Sequence, residues 1–180
     1  QGVGELATLQ IALTLFSTVA FMLDALAIAG QAMIGHGLGA SDVERVSAIT
    51  TRLIQIGVLC GVVIGAILAA LSPVIGVVFT TDPLVRELLP QVVLVMAVGI
   101  PLAGYVFVLD GVLIGAGDAR YLAIAGVIAL ALYLPLLFGA VNLGAGLVGL
   151  WLAFGLGYMG ARAITLGVRA HGERWIVTGA

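Results

Sequence analysis

Residues 121–161 read YLAIAGVIALALYLPLLFGAVNLGAGLVGLWLAFGLGYMGA, 41 positions between Arg120 and Arg162 without a charged side chain. About 20 apolar residues, each rising about 1.5 Å, cross the hydrocarbon core of a bilayer, so one helix cannot use the whole run. Asn142-Leu-Gly144-Ala-Gly146 supplies a break, and the run reads as two spans. The pattern repeats upstream. Leu6–Gly35 is interrupted only by Asp24, Leu53–Thr81 is uncharged, and Leu88–Leu109 continues apolar past Asp110 to Ala116. Barrel strands alternate over about ten residues, whereas these runs are solidly apolar. The expected fold is therefore all-α, a polytopic transmembrane helix bundle with five spans at roughly 6–35, 50–72, 88–116, 119–139 and 146–168.

Composition agrees with this reading. Of 180 residues, 62% are hydrophobic and 9% charged, 26 are glycine and none is lysine. Soluble domains carry roughly 25% charged residues, so most soluble classes are excluded. Seven arginines within a net charge of −2 cannot form the basic footprint of a nucleic-acid binder, and no nucleic-acid partner is expected. One cysteine and two histidines exclude a disulfide framework and a zinc cluster, so no metal or cofactor is expected. Cys60, inside an apolar run, reads as an inert small hydrophobe.

The connecting segments carry helix signals. Ser41-Asp-Val-Glu44 has the spacing of a capping box, Asp82-Pro83 reads as an N-cap and N1 pair, and Asp118 is expected to stop one helix and cap the next. Gly35-His36-Gly37-Leu-Gly39 lacks both a preceding strand and the spacing of a phosphate loop; it reads as a flexible helix exit, with His36 solvated. With five spans the connections alternate sides. Arg45, Arg52, Arg120, Arg162, Arg169 and Arg174 then fall on one side and only Arg86 on the other, which makes the C-terminus cytoplasmic and places Gln1 outside. An N-out start with Gln and no cleavable signal leads us to expect the C-terminal portion of a larger membrane protein, preceded by an odd number of spans.

Charged and polar groups at membrane depth are costly and mark pathways or coupling sites. Asp24 lies mid-span, on a helical stripe of Gln10, Thr14, Ser17, Phe21, Asp24, Ile28 and Gln31. Such a face either forms a helix–helix seam or lines a solvated cavity. Asp110 follows Pro101 by nine residues, with Gly99 and Gly104 flanking the proline, where a kink is expected. Tyr105 adds a hydroxyl nearby. Asp110 is either a coupling acid or a residue near the membrane interface. No arginine is expected within a span to pair with either acid, so each can take up a proton during a working cycle. Phe21-Met-Leu-Asp24 and Phe107-Val-Leu-Asp110 echo each other on helices that run in the same direction. Gly57, Gly61, Gly65 and Ala69, and again Gly149, Ala153 and Gly157, form small-residue ridges suited to close helix packing.

Leu23-Asp-Ala-Leu-Ala-Ile-Ala29, Gln31, Gly35-His-Gly-Leu-Gly-Ala40 and the long stretch Pro101–Tyr121, PLAGYVFVLDGVLIGAGDARY, resemble the later half of multidrug and toxic compound extrusion (MATE) transporters. The likeness is to the branch named after DNA-damage-inducible protein F, and it extends from about Leu6 to the tail Arg174-Trp-Ile-Val-Thr-Gly-Ala180. The resemblance implies twelve helices in two six-helix lobes with both termini cytoplasmic. The present spans would then be eight to twelve, the C-terminal lobe without its first helix and without the N-terminal lobe. It further implies a proton- or sodium-coupled antiporter in the cytoplasmic (inner) membrane, in contact with lipid, exporting small organic compounds through a cleft between lobes. An acid on the tenth helix contributes to cation binding in the sodium-coupled branch, and Asp110 occupies a comparable stretch. The best-known coupling aspartate of the branch resembled here lies on the first helix, which these 180 residues do not include. Asp24 and Asp110 are thus the coupling candidates, with Gln10, Thr14, Ser17, Gln31 and Tyr105 as candidate cavity residues. A lipid-linked precursor flippase of the same superfamily would differ by carrying cationic side chains in its cleft, and a non-transporting scaffold would lack the second lobe. No nucleophile–base pair is visible, so an enzyme is not expected.

Overall fold

The computed structural model describes residues 2–178. The expectations for Gln1 and for the last two residues of the tail lie outside them. The elements are α1 (Val3–Gly39), α2 (Val43–Phe79), α3 (Pro83–Gly115), α4 (Ala119–Asn142), α5 (Gly146–Ala153), a π-helical turn (Phe154–Met159) and α6 (Gly160–His171). The last three make one continuous rod, Gly146–His171, so five helices are long and apolar enough to cross a membrane. The all-α bundle is therefore as expected, but its helices outrun the expected spans. α1 and α2 each have 37 residues, about 55 Å of rise, well beyond a hydrocarbon core of about 30 Å. Hydropathy marks only the part of a helix that meets lipid.

Four of the five prolines, Pro73, Pro90, Pro101 and Pro135, lie inside helices, and the helical backbone of α3 continues through Pro101. Pro73 has no N–H for the carbonyl of Ala69, and the Ser72 hydroxyl donates to that oxygen instead, at 2.8 Å. A neighbouring hydroxyl thus repairs the lost bond, which lets a proline persist where water cannot.

Two local expectations are corrected at the connections. The capping box at Ser41–Glu44 does not form. Ser41 takes a left-handed turn, φ +56°, and the N-cap is Asp42, whose carboxylate accepts from the Arg45 N–H at 3.1 Å. Gly35–Gly39 is not a flexible exit but the last turns of α1, with His36 helical and exposed. Its glycines admit neighbours, since a Cβ on Gly37 would meet Val46 and one on Gly35 would approach the Gly115 carbonyl. Asp82 caps α3 as expected, accepting from the Leu84 N–H at 2.9 Å, with Pro83 at N1. The break near residue 144 is real, since Gly144 and Gly146 hold φ +64° and +61°, which side chains resist.

α3 is the central rod. Its Leu89, Val92, Val93, Leu109, Val112 and Leu113 are all 0% exposed, the deepest run in the molecule. α2 lies antiparallel against it through the expected glycine ridge: Gly57 on Gly104 and Val108, Gly61 on Ile100 and Pro101, Gly65 on Ala97. α1 is antiparallel to α2, with Gly30 on Leu53 and Gly37 on Val46, and parallel to α3, where Gly111 meets Ala27 and Gly115 meets Gln31. Close backbone contact is what binds helices whose surroundings are as apolar as themselves. α4 is peripheral, burying only Ala125 and Ala129, and Gly157 admits its Tyr133 and Leu136.

Candidate functional site

The α1 stripe faces away from the packed core. Gln10, Thr14, Ser17, Phe21, Asp24, Ile28 and Gln31 are all exposed, while Thr8, Ala12, Val19, Leu23, Ala27 and Ile34 bury the opposite side. Thr14 satisfies its own hydroxyl by donating to the Gln10 carbonyl at 2.9 Å. Asp24 and Gln31 make no side-chain hydrogen bond within the described residues, so the stripe is an unpartnered polar face on a helix otherwise built for lipid.

Asp110 sits differently. The π-helical turn leads into α6, and its third residue, Arg162, is 9% exposed and forms an ion pair with the Asp110 carboxylate. This overturns the expectation that no arginine within a span can pair with an acid. Arg162 ends the uncharged run in sequence, but α6 continues to His171, so the guanidinium lies inside the bundle. Its Nη1 also donates to the Leu122 carbonyl of α4 at 3.3 Å, and Gly126 leaves room beside it. Arg162 thereby ties α3, α4 and α6 together.

The helix contacts set the two acids at nearly equal depth. Ala27 lies on Gly111, so Asp24 stands about one turn before the contact and Asp110 one residue before it. Tyr105 does not join the α1 stripe; its hydroxyl abuts Gly167 of α6, 2.6 Å from where a Cβ would lie.

A second ion pair lies toward the end of the bundle. Arg169 Nε donates to Asp118 at 2.7 Å, the guanidinium lies 4.8 Å from the centre of the Tyr121 ring, and the Tyr121 hydroxyl donates to the Thr165 carbonyl at 2.6 Å. Asp118 occupies the N-cap position of α4 as expected, yet its side chain caps nothing. The carboxylate is drawn to Arg169 because a charge-assisted bond outweighs a neutral one. Sequence reading missed both arginines. Two acids eight residues apart and two arginines seven apart, each about two helical turns, were the available signal.

A cavity of about 440 Å³ opens between α1, α4 and α5, walled by Leu9, Leu13, Phe16, Tyr133, Trp151 and Phe154 among others. It is apolar and aromatic, with Phe16 edge-on to both Trp151 and Phe154. Neither the α1 stripe nor Tyr105 lines it. Gln10, Thr14, Ser17 and Gln31 therefore share a face of α1 but not this cavity, and Tyr105 of α3 shares neither.

Residues 2–139 match the family model described as MatE. The chain is 33% identical over 166 residues to Protein DETOXIFICATION 43 of Arabidopsis thaliana, covering 91% of this chain and 31% of that protein. It is 34% identical over 165 residues to Protein DETOXIFICATION 42 of the same plant, with the same coverage. To Multidrug and toxin extrusion protein 1 of Xenopus tropicalis it is 32% identical over 131 residues, 70% of this chain and 22% of that protein. The chain thus spans less than a third of the length of these relatives. No solved structure gives a significant match. Five membrane-length helices, three of them wholly and a fourth largely within the matched residues, and this kinship make it a multi-pass membrane protein, and the chain belongs to the MatE family of multidrug and toxic compound extrusion proteins.

Proposed function

We propose that these five helices form most of the C-terminal lobe of a cation-coupled antiporter of the branch named after DNA-damage-inducible protein F, exporting small organic compounds across the cytoplasmic membrane. The observation that carries this reading is the unpartnered polar face of α1. In lipid, a face bearing Asp24, Gln10, Ser17 and Gln31 needs water or protein against it, which a substrate cleft facing a second lobe would supply. Asp110, one helix away at similar depth, is the companion coupling acid, with protons or sodium as the driving ion. Relatives about three times as long support a missing lobe. The arginine asymmetry supports an N-out, C-in topology. Membrane lipid and the N-terminal lobe are the expected partners.

A precursor flippase would need free cationic groups in its cleft. Arg162 does lie within a span, contrary to expectation, but Asp110 already neutralises it, so the antiporter reading is preferred. The test is flux in proteoliposomes holding the intact protein, with ethidium as substrate and an imposed proton or sodium gradient. Asp24→Asn and Asp110→Asn should each lower gradient-driven flux by about tenfold or more, a coupling-scale loss, when compared at equal amounts of reconstituted folded protein. Unaltered flux in both variants would return the acids to structural roles.

A further inference from the structure

Asp110 pairs with Arg162 where α3 and α6 meet, Asp24 stands at similar depth on α1, the helix beside α3, and the formal charges of the three sum to −1. Asp24 and Asp110 share a depth fixed by the Ala27–Gly111 contact, and Arg162 pairs with Asp110 alone. Among the described residues no further ion pair involves these three side chains. α2 packs here through Gly57 against Gly104 and Val108, and α4 offers the Leu122 carbonyl. Tyr158 of the π-helical turn stacks on Phe154, and the Tyr105 hydroxyl turns to Gly167. A group one positive charge short at membrane depth attracts a cation or a proton.

The pair is lopsided. The Asp110 side chain is 28% exposed and that of Arg162 only 11%, so an arriving ion reaches the carboxylate and not the guanidinium. Arg162 has five N–H donors and, besides Asp110, one hydrogen bond, the long one to Leu122. Neutralising Asp110 would strand a buried cation, a strongly destabilising state that the chain must relieve by moving the arginine. A place for such movement is adjacent: Arg162 lies three residues beyond Met159, the end of the π-helical turn, and single π-helical turns inside helices occur frequently at functional sites.

We infer that Arg162 is a built-in counter-cation that competes with the coupling ion for Asp110, so that ion loading releases α6 from α3. This rests on Asp110 being the coupling acid. Ion binding is read as thermal stabilisation of the purified intact protein, titrated with sodium chloride against choline chloride and, separately, with pH. Wild type should respond to one ion, and Asp110→Asn should not. Arg162→Gln should keep the response and lower the ion concentration at half effect by about tenfold, within the usual range of coupling between sites. Arg162→Lys, which keeps the charge but not the planar fork, should fall between, and it serves as the readout if the glutamine variant fails to fold. A half-effect concentration unchanged in the arginine variants, with the response lost in Asp110→Asn, overturns the counter-cation and leaves the coupling acid standing. A response absent in wild type, or retained in Asp110→Asn, overturns both.

Discussion

At Gly111 the absence of one methyl group determines where two charges stand. A Cβ there would overlap the backbone of Ala27, so α1 could not lie against α3 and Asp24 could not share the depth of Asp110. Gly111→Ala should therefore destabilise the protein by about 1–3 kcal/mol, the cost of overpacking a close contact. Gly139→Ala meets nothing within 4 Å and should be neutral or stabilising by up to about 1 kcal/mol. Thermal unfolding of the two variants in detergent checks the contrast, and equal melting points would refute the contact. Asp24 and Asp110 were legible in the sequence because each interrupts a long uncharged run. Arg162 and Arg169 were not, because a charge that ends such a run looks like a boundary, and only the fold shows that the helix continues beyond it.

At the scale of elements, α1 displays its polar face by period. Residues three and four apart fall on one face, so the polar stripe could be read before any coordinates, and the structure leaves that face open. Cysteine labelling distinguishes water from lipid on it. In a Cys60→Ala background, Ser17→Cys and Gln31→Cys should react with a membrane-impermeant maleimide. Val127→Cys, on an α4 face 68% exposed but apolar, should not. Equal labelling of Val127 and Ser17 would remove the argument for a wetted cleft. The π-helical turn had no signature, because Phe154-Gly-Leu-Gly-Tyr-Met159 is as compatible with an α-helix; its hydrogen bonding differs by one residue, not its composition. Helix ends were likewise misjudged, since hydropathy falls silent where α1 and α2 extend past the span.

For the whole molecule, α3 is a shared spine. α1 and α2 hold one side of it through glycine contacts, and α6 holds another through Asp110–Arg162, with Asp118–Arg169 fixing the turn that follows. On the proposed coupling role, ion occupancy at Asp110 would change how α6 sits on the spine while the α1–α2–α3 seam stays fixed. The fold class and the number of spans followed from charge spacing alone, whereas the ion pairs depend on which helices become neighbours, and that is settled only by packing. Antiport requires that ion and substrate oppose each other, and linkage makes this visible at equilibrium without a gradient. The direct measurement is the affinity of the purified intact protein for a transported organic cation as the driving ion is titrated. The account predicts that affinity weakens as the ion loads in wild type and becomes insensitive to it in Asp110→Asn. Ion-independent affinity in wild type, or an undiminished ion effect in an Asp24→Asn/Asp110→Asn double variant, would contradict it.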